Sequence, residues 1–134
     1  MKLFPWTYWA ARIIAALIMV QTLYFKFTGA EESVYIFTAV GMEPVGRIAV
    51  GILELVASIL LIINATAWLG GLLGAGLMAG ALGMHATLLG IEVKGDSGYL
   101  FFLALIVLIC CCWVLFFNRQ KINTILLWFR KTRA

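Results

Sequence analysis

The sequence predicts an all-α fold: a polytopic membrane protein built as a four-transmembrane-helix bundle with both termini cytoplasmic. Three observations lead there. Of 134 residues, 64% are apolar and only 12% charged, so the chain has too little polar surface to cover itself in water. Four apolar runs each approach the ~20 residues that a helix needs to cross a ~30 Å hydrocarbon core. None of them alternates with period two, which argues for helices rather than a barrel.

The runs are expected at about residues 8–27, 44–63, 68–89 and 99–117, giving a transmembrane domain over 1–117. The first is expected to remain as a helix rather than be cleaved, because "VQTLYFKF" offers no small-x-small site. The second starts at Pro44, which suits a first helical turn. Between them, "SVYIFTAVG" is apolar enough for a short helix at the interface but too short to span. The third run is rich in glycine and alanine, and the fourth carries Cys110, Cys111 and Cys112 in a row. Residues 118–134 form a basic tail in which Ile122, Ile125, Leu126 and Phe129 recur at i, i+3, i+4 and i+7. This pattern suits an amphipathic helix on an anionic leaflet, or a topology anchor and nothing more.

Orientation follows from charge. The tail holds Arg119, Lys121, Arg130, Lys131 and Arg133 with no acid, whereas the first and third loops hold Glu31, Glu32, Glu43, Glu92 and Asp96 against Lys94. The positive-inside rule then puts both termini in the cytoplasm, with the inner (plasma) membrane as the expected location. Trp6, Trp9, Trp68, Trp113 and Trp128 fall at the same interface, where indoles anchor. Lipid already accounts for the basic residues, so a nucleic-acid partner is not expected.

Five ionisable residues fall in or at the ends of the spans: Arg12, Lys26, Arg47, Glu54 and His85. They are the candidate ligand-binding or proton-relay residues; no catalytic residue is named. Arg12, Lys26 and Arg47 sit close enough to an interface to snorkel. Glu54 does not, being roughly 15 Å down its helix from Pro44. A charge at that depth costs at least ~2.5 kcal/mol and normally pairs or lines a cavity. Arg47 and Glu54, seven apart, share a face; so do Arg12, Met19 and Lys26. Lys26 is therefore expected near Arg47 and Glu54 in a polar cluster, with His85 as a further candidate, opening toward the outer leaflet. Gly71 and Gly74 share the His85 stripe, and Gly76, Gly80 and Gly83 line the opposite side. Close packing against neighbours on both sides is expected, with Gly51 as another packing position. Two readings of the cluster stand: it glues the bundle together, or it serves a ligand, proton or substrate.

Other chemistry has less support. Adjacent thiols on a helix point about 100° apart, so the cysteines read as small packing residues, with redox chemistry or acylation as the alternatives. One histidine without ligand spacing gives no metal site.

The lysine of "YFKFTGAEE", the stretch "GRIAVGILELVASILLI" and the small-residue third span resemble the DoxX-like superfamily of four-helix membrane proteins. The likeness runs from about Ala11 to Phe117, and Arg12, Lys26, Gly51 and Glu54 match family positions. It implies fold and topology well and a reaction poorly. Some members are linked to quinone-coupled oxidation of sulfur compounds or to oxidative-stress complexes, and animal relatives assist receptor assembly. One hypothesis is thus a quinone- or lipid-binding accessory subunit of a membrane oxidoreductase system, with quinone as candidate cofactor. The alternative is a membrane-protein assembly or interaction factor whose polar cluster is structural. A homo-oligomer or a membrane-protein partner is expected in either case.

Overall fold

Residues 4–134 are described by a computed structural model of the chain. Six α-helices follow one another: α1 (Phe4–Thr28), α2 (Glu31–Ala39), α3 (Val45–Ile62), α4 (Ala67–Met84), α5 (Tyr99–Phe117) and α6 (Arg119–Arg133). A 3₁₀ turn at Asn64–Thr66 leads into α4, and a π-helical turn at His85–Leu89 extends it. The four spans long and apolar enough to cross a membrane are Pro5–Thr28, Val45–Ile62, Asn64–Leu89 and Tyr99–Phe117. The chain is a multi-pass membrane protein. Its first span begins earlier than the apolar run suggested, because Pro5, Trp6 and Thr7 continue the helix toward the N-terminus.

The spans form a ring in the order α1, α3, α4, α5, each packing on two antiparallel neighbours. The start of α1 and the end of α5 therefore lie at one end of the bundle, the terminal end. At the other, the loop end, α2 lies with the 90–98 loop. The expected short helix between the first two spans is α2. It turns Ser33 and Phe37 inward and places Glu31 and Glu32 in its first turn, where the helix dipole favours acids. Lys94 reaches across to Glu31 at 3.2 Å.

Small residues build the core. Ala15, Ala57 and Ala67 are completely enclosed, with Met19, Leu61, Val107, Cys111 and Val114 filling between them. Lipid tails are as apolar as leucine, so close packing of backbones rather than a hydrophobic drive holds such spans together. Gly70 shows how close: a Cβ there would lie 2.6 Å from Leu61 N and 2.9 Å from Ala57 O. Gly71 and Gly74 meet α5 through Val114 and Cys111, and Gly51 receives the Phe27 ring. Gly76, Gly80 and Gly83 correct the two-sided expectation: nothing lies within 4 Å of where their Cβ atoms would be. The reason is angular. The two neighbours of α4 both lie on its Gly70–Gly71–Gly74 side, and the far side faces outward.

The cysteines fan out as the helix dictates, with Cys111 buried, Cys110 half-buried, Cys112 exposed and no disulfide among them. Large apolar side chains such as Leu17, Leu72 and Ile109 cover the outside of the bundle, as a lipid-facing surface requires. The helix α6 leaves the bundle directly after α5, with Leu126, Leu127, Trp128 and Phe129 all exposed.

Candidate functional site

In the loop-end half, the four spans part around a cavity of about 330 Å³, roofed by α2. Its wall is mostly apolar, with Met19, Phe37, Met78 and Val107 among the lining residues. Lys26, Glu54 and His85 supply polar groups, joined by Thr22, Gln21, Ser33, Glu32 and Tyr99. Three of the five sequence candidates thus converge.

Lys26 Nζ lies 3.0 Å from Glu54 Oε2, and their side chains are only 15% and 5% exposed. The two come together because Lys26 occupies the inward Arg12–Met19–Lys26 face of α1, whereas Glu54 lies midway along the antiparallel α3. Thr22 Oγ1 is 3.4 Å from the same carboxylate oxygen but 2.9 Å from Met19 O. A hydroxyl has one proton, and the shorter bond to the carbonyl claims it. The carboxylate therefore has one strong partner, the ammonium. Its other oxygen, Oε1, receives no hydrogen bond from a described residue, and no fully enclosed side-chain N or O among those residues is left unpartnered. Hence Oε1 opens to the cavity.

His85 stands at the start of the π turn, buried, with its ring edge-on to Phe101 at 5.6 Å between centroids. Nδ1 is 2.7 Å from Gly90 O. A carbonyl only accepts, so Nδ1 carries the proton of the neutral ring and Nε2 is the acceptor nitrogen. The π turn creates this contact: it widens the helix end and, with Gly90 at φ +74°, swings the Gly90 carbonyl back toward the ring. Close by, Asp96 braces the loop. Oδ1 accepts from Val93 N at 3.0 Å and Gly98 N at 2.8 Å, and Oδ2 from Leu100 N at 3.1 Å. Partial burial pushes its pKa up, but the three N–H donors more than offset this, holding the carboxyl below its ordinary value.

The two arginines lie elsewhere, which corrects the reading of both. Arg12 does not snorkel: it is completely buried near the terminal end. Its guanidinium donates to Leu61 O (2.5 Å), Ile62 O (2.8 Å) and Asn64 Oδ1 (2.9 Å) and lies 3.8 Å from the Trp9 ring centroid. The last carbonyls of a helix have no partner within it. In α3 they are all accounted for: Ile59 O by Ile63 N, Leu60 O by the Thr66 hydroxyl, and the final two by Arg12. Arg47 does the same for α1 at the opposite end, donating to Lys26 O. Its Nε is held by Glu43, one turn earlier, at 2.9 and 3.0 Å. Arg47 shares a helix face with Glu54, as expected, but is engaged by Glu43 and the end of α1 and does not line the cavity.

A family model described as DoxX matches residues 8–87, more than half of the chain. The chain belongs to the DoxX family. This is a family of small membrane proteins, and the match carries α1 to α4 and most of the π turn, including Lys26, Glu54 and His85. Neither a curated protein nor a solved structure matches the chain. Among the described residues, no group of three His, Cys, Asp or Glu side chains gathers as a metal site would require.

Proposed function

We propose that this DoxX protein holds an amphipathic, quinone- or lipid-like molecule in the loop-end cavity and acts as an accessory subunit of a membrane oxidoreductase system. One observation carries the reading. The buried Lys26–Glu54 pair does not seal itself in a dry, tight cluster but borders a cavity of about 330 Å³ with a carboxylate oxygen turned into it. Small-molecule sites of roughly 300–1,000 Å³ combine apolar walls with a few fixed polar groups, as this one does. A purely structural pair would be better served by filling that space.

In this reading, Lys26 donates to a carbonyl of the ligand head, and Glu54 Oε1 accepts from a hydroxyl or takes a proton from it. His85 Nε2 offers a second acceptor. A quinone bound here would supply the redox chemistry, with a partner protein exchanging its electrons. The positive-inside charge pattern supports an orientation with the termini in the cytoplasm and the cavity in the outer half of the membrane.

The test is mass spectrometry of lipids and quinones that co-purify with wild type and with Glu54→Gln. A small molecule enriched with the wild type and lost from the variant is the expected result. No enrichment, together with a variant that is only less stable, would show that the pair holds the helices and that function lies in protein contacts.

A further inference from the structure

Resting on the reading of the cavity as a ligand site, we infer that its ligand carries an apolar tail, which leaves between α3 and α4 at Gly76 and Gly80 and lies along an outer groove. Three observations converge on this path. Gly76 and Gly80 line the cavity from α4, and both are exposed. Nothing lies within 4 Å of the position of either absent Cβ. The wall there is bare backbone, with open space where side chains would stand.

The second observation is what lies outside. A separate apolar groove runs over the α3–α4 seam, lined by Leu60 from α3 and by Leu69, Leu72, Leu73, Gly76 and Leu77 from α4. Gly76 and Leu77 belong to the walls of both the cavity and the groove. The two spaces therefore meet at Gly76 and Leu77 of α4. From Gly76 to Leu69 is seven residues, about 10 Å along the helix, directed toward the terminal end.

The third observation is polarity. The groove residues are all apolar, whereas the ionisable side chains stay within the cavity. A molecule filling both spaces has a small hydrogen-bonding head beside Lys26, Glu54 and His85, and an alkyl or isoprenoid chain running toward the bilayer centre. Its tail is an apolar chain among lipid chains, so the groove adds little affinity. What the opening does is let a chain-bearing molecule seat its head at all.

Gly76→Leu/Gly80→Leu closes the opening at positions with room for side chains, and leucine is a better helix former than glycine. The probes are a benzoquinone bearing a decyl chain and the same ring without it, titrated against the protein in nanodiscs. The double variant is expected to fold with wild-type helicity and to bind the decyl probe about tenfold more weakly, because the tail has no way out. The readout is the ratio of the two affinities, which should shift about tenfold toward the tail-less ring. Glu54→Gln should weaken both probes. If the closed variant binds the decyl probe like wild type while Glu54→Gln still weakens it, the tail path is wrong and the cavity reading stands. If neither probe binds wild type, or Glu54→Gln changes neither, both are overturned.

Discussion

Breaking the Lys26–Glu54 pair one partner at a time should expose how dry the site is. Replacing Lys26 by methionine keeps the length of the chain but leaves Glu54 mid-membrane without its ammonium. Removing one partner of a buried pair typically costs about 3–5 kcal/mol, mostly because a charge is left uncompensated. The Glu54 side chain is only 5% exposed, so the upper half of that range applies. Glu54→Gln should cost less, about 1–2 kcal/mol. Lys26 is two residues from the end of α1, so the orphaned ammonium can extend toward the loop-end interface. In Lys26→Met/Glu54→Gln no charge is left behind, and the variant should stay within about 1–2 kcal/mol of wild type.

The cycle therefore predicts a coupling of about 3 kcal/mol or more, at the high end for residues in contact. The assay is reversible unfolding in mixed micelles with increasing SDS, followed by circular dichroism for all four proteins. Additive single effects, with a coupling below about 0.5 kcal/mol, would refute the reasoning. Each group would then find water for itself, and the site would be a wet vestibule rather than a low-dielectric chamber.

Three further outcomes follow from the geometry. Arg12→Met should strand the Leu61 and Ile62 carbonyls and cost about 3–5 kcal/mol in the same assay, with Arg12→Lys recovering only part because an ammonium lacks the guanidinium fork. A Met variant as stable as wild type would mean that water caps α3. Gly70→Ala forces a Cβ into the α3 backbone and should destabilise by about 1–3 kcal/mol or more, whereas Gly83→Ala, in open space, should gain roughly 0.5–1 kcal/mol; equal effects would sink the one-sided packing of α4. For Asp96, the depressed pKa fixes the sign: its contribution is fully present above the ordinary carboxylate pKa of about 3.9 and is lost as pH falls through the lower folded value. Thermal midpoints from neutral pH down to about pH 3 should show an acid-side decline that is shallower in Asp96→Asn. Identical slopes would mean that the three backbone donors do not hold the carboxylate.

Much of this arrangement is legible in the sequence because a membrane leaves few choices. Run length sets the spans, and the seven-residue spacing of Arg12, Met19 and Lys26 marks the buried face of α1. Depth alone marks Glu54 as a residue that must find a partner, and the only long cation on that face in the right half is Lys26. The role of the arginines is not legible, for one reason. Where a helix ends in space relative to its neighbour is not local information, and a guanidinium near an interface looks the same whether it snorkels or caps. The structure shows a reciprocal clamp: α1 sends Arg12 to the C-terminal end of α3, and α3 sends Arg47 to that of α1. Each places a cation at the negative end of the opposing dipole. The cavity was not legible either, since empty space comes from helices parting rather than from any residue. Yet the clamp explains its chemistry. By engaging both arginines at helix ends, it leaves Lys26 and Glu54 as the charged residues that the spanning helices contribute to the cavity, and these two cancel. Under the proposed reading, a chamber with no net charge from its spans, with Glu32 on its α2 roof and an ammonium, a carboxylate oxygen and an imidazole on its walls, suits a hydrogen-bonding head without negative charge better than an anion.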